Sequence, residues 1–367
     1  MRLCFVPLLT MRYNMKYTVK ILCLLLALLT VLPLAACKDE KVDGPSWQPN
    51  IEGEGGSFTP TIGMFVYYIF ECSYSFTEEE YVEHGFDENA GSLKKIMYDE
   101  NNTWYDELVR RAKETTEMLI TYCNAAVAEG FEITEEIKQA VEDNLVQART
   151  RAAIEGYEYN DMLKEYYGCD YITEDVIREL SEMQMLWDEY YLHLEEKFGA
   201  EVTDAEIAAR IKSDNLTNTD KTRNIAIVLF PIGALDTEDS EADLMKSAED
   251  FVKSFEGKTP DKDTFLKGDG TVGIEPVYFE NVYDGGVIPE LNDWVYSEER
   301  KVGDMDALAL SYGPCAIYYV SEGIPMNESQ AKEMIVYDMI DTWFKAANEK
   351  FNVPVSDAII DSVDLDI

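Results

Sequence analysis

Two histidines, His84 and His193, occur in 367 residues, which leaves imidazole acid–base catalysis and Ser-His-Asp or Cys-His arrangements with little to work with. His193 has Glu189 four residues before it and Glu196 three after. On a helix these share one face, a spacing that suits a divalent metal or a solvated, ion-paired surface. With no second histidine nearby, the ion-paired surface is the simpler reading. Cys72, Cys123, Cys169 and Cys315 are widely spaced and form no C-x-x-C, so neither a zinc site nor a disulfide framework is expected. Isolated buried thiols remain, and Cys315, set in an apolar run, reads as a small hydrophobe rather than a nucleophile. Gly268-Asp269-Gly270-Thr271-Val272-Gly273 matches G-x-G-x-x-G. It follows Phe265-Leu266-Lys267 and precedes Ile274-Glu275-Pro276, not the strand and helix a dinucleotide site needs, and it reads as a loop. Neither G-x-S-x-G nor H-E-x-x-H occurs. These residues predict no catalytic side chain, no metal and no cofactor.

The one cysteine with a chemical role written around it is Cys37. Arg12, Lys16 and Lys20 precede an apolar run from Ile21 to Ala35, which closes as Leu34-Ala35-Ala36-Cys37 and is followed by Lys38-Asp39-Glu40. A basic start, a short apolar centre and small residues before a cut make an export signal. Pro33 interrupts the run, which falls short of the roughly 20 residues a membrane span needs. The tetrapeptide resembles the lipobox of bacterial lipoproteins. That resemblance implies that residues 1–36 are a signal peptide, and that Cys37 becomes the lipidated first residue, carrying diacylglycerol and palmitate. The protein is then expected at the cell membrane, lipid-anchored on the extracytoplasmic face. Met11 and Met15 are alternative starts. Residues 37–57, rich in Gly, Pro and charge without apolar periodicity, read as a flexible tether with a mean reach of about 25 Å.

The formal net charge is −41. The first 36 residues hold four basic and no acidic side chains, so removing them makes the balance more negative still. Such a chain is repelled by phosphate backbones, which excludes nucleic acid as a partner, and it does not adsorb electrostatically to anionic lipid. The acidity is read as a solubilising, solvated surface. About 330 residues beyond the signal exceed one ordinary core, so two or more domains are expected.

Residues 58–218 carry helical signals. Ile62 to Phe70 is a dense apolar and aromatic stretch, and Thr77-Glu78-Glu79-Glu80 is a capping box. Leu108, Ala112, Thr115, Leu119, Tyr122 and Ala126 recur at spacings of three and four, as do Ile137, Val141, Leu145, Ala148 and Ala152. Gly130 is expected to end the first of these helices and Thr134 to cap the second. A third runs from about Thr173 to Lys197, stopped by Gly199, and Thr203-Asp204-Ala205-Glu206 opens a fourth. The pattern changes at Lys221. Ile225 to Phe230 is a continuous apolar run, as in a strand buried on both faces. Ser240-Glu241-Ala242-Asp243 begins a helix, loops rich in Gly and Asp follow, Pro289 starts a short helix, and Cys315 to Val320 reads as a second core strand. Asn327 is expected to cap a last helix through residue 353, with Val336, Ile340, Trp343, Ala347 and Phe351 on one stripe. Residues 354–367 form an acidic tail.

In this order the segments resemble the PrsA and SurA type of extracytoplasmic foldase, in which a parvulin-type prolyl isomerase domain is inserted into a helical chaperone domain. Glu129-Gly130-Phe131-Glu132-Ile133-Thr134-Glu135-Glu136 is similar to that family's turn between helices. Val202-Thr203-Asp204-Ala205-Glu206-Ile207 is similar to the "VTDEEI" that enters the isomerase domain. Gly286-Val287-Ile288-Pro289-Glu290-Leu291 resembles the parvulin helix start "G-x-[MV]-[VI]-P-E-F", and Val302-Gly303-Asp304 the "K-x-G-E" after it. The resemblance implies a mostly α, α+β chain: a SurA-N-like helical chaperone domain over 58–218, a parvulin-like domain over 221–324, and a C-terminal helix over 327–353 packing back on the helical domain. It places Val287 and Leu291 in an apolar peptide pocket.

The departures bear on activity. Parvulins carry histidines in patterns like "SHILV" and "FGYHIIKV"; the matching stretches here place Ala226 at the first and Cys315 or Ala316 at the second, with Asp269 loosely at the acidic position between. Rotation about an X-Pro bond is slow because the amide is conjugated, and its catalysis needs oriented hydrogen bonds as well as an apolar pocket. The expected function is therefore a membrane-anchored chaperone that binds unfolded exported polypeptides, with weak or no isomerase activity. The alternative is a non-catalytic structural or adaptor lipoprotein with one dedicated envelope partner. A homodimer is compatible with either. A solute-binding protein would need more buried strands than this sequence shows.

Overall fold

A computed structural model describes residues 51, 56–86, 92–230, 241–268, 276–310, 313–363 and 365. The expected signal peptide, Cys37, most of the expected tether and Asp269 lie outside the described residues. In chain order the elements are α1 (Ile62–Ser73), α2 (Glu78–Glu83), a 3₁₀ turn (Leu93–Lys95), α3 (Trp104–Ala128), α4 (Glu135–Glu155), α5 (Tyr159–Tyr167), α6 (Glu174–Glu201) and α7 (Asp204–Ser213). There follow β1 (Lys221–Leu229), α8 (Glu241–Ser254), α9 (Lys262–Lys267), β2 (Pro276–Val282), α10 (Pro289–Val295), β3 (Met305–Leu310), β4 (Gly313–Pro325), α11 (Met326–Phe351) and α12 (Asp357–Ser362). This is a mostly α, α+β chain, the class expected.

Two compact units divide the described residues, one of 51–196 with 339–365 and the other Lys197–Asp338. The first is helical, and its helices begin where the threonines say. Thr77 and Thr103 each close a capping box, and the Thr134 hydroxyl accepts from the Ile137 N–H. Thr203 closes another at the start of α7, in the second unit. Gly130, at φ +92°, follows the end of α3. Gly199 does not stop α6, which runs two residues further to Glu201; one helical glycine costs only about 1 kcal/mol and is easily overridden. The start of α11 also differs from expectation. β4 runs into it without a loop, and the backbone N–H groups of Met326 and Asn327 bond to the carbonyls of Asp220 and Asn218. A neighbouring chain segment, not an Asn327 cap, satisfies these first donors.

α1 is apolar on nearly every side, and Met64 to Ile69 are all buried, as expected of a helix enclosed by its neighbours. Gly63 is needed there because a Cβ would meet a Val176 methyl at 2.4 Å and the Tyr171 carbonyl at 2.9 Å. In α3, Asn124 is 2% exposed. Its Nδ2 donates to the carbonyls of Phe58 and Phe351, and its Oδ1 accepts from the Phe58 N–H. One side chain thus ties the segment before α1 and the end of α11 to the same turn of α3. Trp343 of α11 completes the core against Tyr122 and Tyr190, with ring centroids at 5.4 and 5.7 Å.

The second unit carries a four-stranded antiparallel sheet in the order β2-β1-β4-β3. β2 and β3 fall where the sequence suggested loops. They are the edge strands, most of their residues only partly buried or exposed, and neither shows the unbroken apolar run that marks β1 and β4. Central β1 pairs Ile225 with Tyr319, Ile227 with Ile317 and Leu229 with Cys315 on β4. Ile225, Ile227 and Leu229 point to a core shared with α10, whereas Ala226 and Val228 point to the core under α8 and α9.

One group in the helical unit carries a pH dependence. Asp188 of α6 is partly buried, and burial pushes its pKa from 3.8 up to about 7. The native chain then binds more protons than the unfolded one between those values, so this residue's contribution makes stability fall as pH rises from about 4 to about 7, with no further loss above. Asp188→Asn removes the penalty. Urea unfolding is expected to show a gain of about 2 kcal/mol at pH 8, discounted for residual solvent, and little change at pH 4.

Candidate functional site

The short helix α10 is set by its chemistry. Pro289 occupies its first turn, where the missing N–H costs nothing. The loop before it is fastened from inside the helix: Asn292 Oδ1 accepts from the Gly285 N–H at 2.7 Å, and Asn292 Nδ2 donates to Asp284 Oδ1 at 2.9 Å. Gly285 turns that loop at φ +87°. Val287 and Leu291, the expected pocket residues, are held by this frame. They differ in access. Leu291 is 3% exposed and belongs to the core with Ile225, Ile227 and Trp294, while Val287 is half-buried against the edge of that core.

The strand alternation settles which positions face α10. Ala226, aligned with the first family histidine, lies on the opposite face under α8 and α9, as does Ala316. Cys315 is on the α10 face, together with Ile225, Ile227 and Ile317. Facing Val287 and Leu291 there are thus three isoleucines and a thiol. Burial raises the Cys315 pKa to about 12, so the thiol stays protonated and is neither nucleophile nor charge. Several polar groups around α10 are already engaged, although Arg300 Nε is buried without a hydrogen-bond partner. Trp294 Nε1 and Arg300 Nη2 both donate to Asp306 Oδ2 at 3.0 Å, and the Tyr296 hydroxyl donates to the Val282 carbonyl at 2.6 Å. Both histidines of the chain lie in the helical unit.

In that unit His193 is 3.7 Å from the Glu129 carboxylate and packs beside Phe131 and Tyr190. The carboxylate beside it comes from the end of α3, not from Glu189 or Glu196 on its own helix. No three His, Cys, Asp or Glu side chains among the described residues gather to hold a metal ion. Cys72, Cys123 and Cys315 are buried free thiols and Cys169 is half-buried. Gly268 ends α9, and β2 begins at Pro276; helix then strand is the reverse of a nucleotide loop's setting.

A surface that sequence reasoning did not single out lies where α1, α4 and α5 end. Ile154 is 81% exposed and Tyr74 69%, with Tyr157 and Tyr166 about two-fifths exposed. Tyr166 hydrogen-bonds to Tyr74, and Tyr157 to Glu165, the residue before Tyr166, which brings the three tyrosines into one neighbourhood. Tyr166 also stacks edge-on against Tyr167, which packs on Phe70. Burial holds the nearby Glu71 carboxyl above its usual range. The available signal was an apolar Ile154 off the buried stripe of α4.

No protein-family model matches the chain, and no curated protein sequence does. Foldases and chaperones are among the solved structures it matches. PrsA from Bacillus subtilis aligns with 14% identity over 72% of this chain and 90% of that one, at a TM-score of 0.30. The foldase protein PrsA from Streptococcus pneumoniae gives 13% identity, 72% and 96% coverage, and 0.29. A SurA-like chaperone of Campylobacter jejuni gives 10% identity, 77% and 90% coverage, and 0.22. Superpositions at this level decide nothing about the site; the two faces of β1 do. No described helix is long and apolar enough to cross a membrane.

If Leu291 is core rather than contact surface, Leu291→Ala is expected to lower stability by about 2–4 kcal/mol in chemical denaturation. Val287→Ala, at the edge of the same core, is expected to cost about 1 kcal/mol or less.

Proposed function

We propose that this chain is a membrane-anchored extracytoplasmic chaperone that binds unfolded exported polypeptides and has weak or no prolyl isomerase activity. The observation that carries the reading is the exposed group Tyr74, Ile154, Tyr157 and Tyr166 on the helical unit. Exposed apolar and aromatic side chains are what a binder of varied unfolded segments needs. Tyrosine suits the task because each ring presents an apolar body and a hydrogen-bonding tip. The net charge of −41 keeps such a surface from self-association and favours clients with basic segments.

The case against strong isomerase activity rests on the α10 face. A twisted prolyl amide needs donors aimed at its carbonyl and nitrogen. Ile225, Ile227 and Ile317 offer none, the Cys315 thiol is a weak donor enclosed in the core, and Leu291 fills the space beneath Val287. The anchor at Cys37 and the tether over residues 37–57 follow from the lipobox reading.

Aggregation of a reduced, unfolded client is expected to be suppressed by the chain at a few-fold molar excess, and Tyr74→Ser with Ile154→Ser to weaken this several-fold. No suppression by the unaltered chain counts against the chaperone reading. On a proline tetrapeptide the chain is expected to leave the cis/trans rate near background; turnover like that of an active parvulin overturns the second half of the proposal. A pull-down that returns one stoichiometric partner instead of many clients favours the adaptor.

A further inference from the structure

A cleft of about 350 Å³ opens in the second unit, at the end of the sheet where β1 begins. At its centre is Arg223. The register of β1 shifts between Arg223 and Ile225 against both β2 and β4, and a bulge of this kind re-aims the side chain beside it. The guanidinium lies 4.9 Å from the ring centroids of both Tyr296 and Tyr319, and Nη1 donates to the Val295 carbonyl. Two cation–π contacts and one hydrogen bond hold it in place. Its other N–H groups have no partner among the described residues. Lys221 lies in the same cleft, and Asp220, Asp284 and Glu322 complete the charged lining. None of those three carboxylates comes within ion-pair distance of Arg223 or Lys221 in the described structure.

A planar guanidinium, fixed in orientation with free donors facing a cleft, is a fork for a carboxylate. The three acidic groups around it repel a phosphate or any other multivalent anion and attract a cation. The cleft therefore fits a ligand that brings one negative and one positive group close together. We propose that it binds a carboxylate on an extended polypeptide segment that also carries a neighbouring Lys or Arg. The carboxylate sits on Arg223, and the basic side chain reaches Glu322 or Asp220. The assignment rests on the proposed role as a binder of unfolded chains and gives that role a second, charge-reading contact.

The test is fluorescence anisotropy on the full chain with three labelled peptides. The first is Gly-Ser-Lys-Ala-Leu with a free C-terminal carboxylate, the second its C-terminal amide, and the third the amide with glutamate in place of leucine. The free acid is expected to bind at least ten-fold more tightly than the neutral amide. Arg223→Gln should remove that difference, and Glu322→Gln should weaken binding of the lysine-bearing free acid. Tight binding of the glutamate amide as well shows that a side-chain carboxylate serves. Tight binding of the free acid alone assigns the cleft to chain ends. Equal affinity for acid and neutral amide on the unaltered chain overturns the site, whatever Arg223→Gln does to folding. Aggregation suppression is expected to survive Arg223→Gln. Loss of suppression in the unaltered chain, with the acid preference intact, removes the chaperone reading and leaves the cleft.

Discussion

Alternation along β1 is the constraint on which the second unit depends. The strand is central in the sheet and covered on both faces, so each step of one residue moves a side chain from the core under α10 to the core under α8 and α9. Ile225, Ile227 and Leu229 are thereby committed to one side, Ala226 and Val228 to the other. The small alanine side chains leave room for Phe265 of α9, whose ring lies 5.1 Å from that of Tyr318 on β4. The larger isoleucines fill the space under Leu291 and Trp294. A polar residue on either side of this strand would need a buried partner, and neither core has room for one.

The break in that alternation is where polarity returns. Past the bulge, Thr222, Asn224 and Asn281 form a hydrogen-bonded group: the Asn281 N–H donates to Asn224 Oδ1 at 2.7 Å, and Thr222 donates to the Ile324 carbonyl. Buried polar groups are tolerated because every one shown there is paired. Arg223 emerges from the same break between two tyrosines. The irregular start of the ladder thus both ends the apolar strand and orients the Arg223 guanidinium in the cleft.

In the helical unit Asn124 has the comparable place. Residues far apart in sequence, Phe58 and Phe351, share its amide, and Thr121 one turn earlier donates to Asn348 Oδ1 at 3.0 Å. Losing the Asn124 side chain would orphan buried carbonyls as well as break bonds, at a cost of about 1–3 kcal/mol. The exposed tyrosines lie away from these ties, where α1, α4 and α5 end, so they can meet other chains while the core stays closed. Asp188 is the opposite case, a carboxylate kept near the core without a compensating partner in the described structure.

By itself the sequence determined the helical class, the positions where most helices begin, and the two inner strands. These are local matters: a Thr hydroxyl reaches an N–H three residues on, and an apolar run or a period of 3.6 is visible in one stretch of chain. The export-signal reading is likewise linear, and it falls on residues outside the described ones. The edge strands β2 and β3 escaped because half-exposed strands lack a continuous apolar signature, and Gly199 was misread because a single glycine does not break a helix that its neighbours hold. Only the tertiary structure decided which face of β1 meets α10, and so moved Ala226 and Ala316 away from Val287 and Leu291. It alone placed Leu291 in the core, paired His193 with Glu129, and set Arg223 between Tyr296 and Tyr319. Each of these joins residues from separate elements, and pairing register and packing, not sequence spacing, fix such distances.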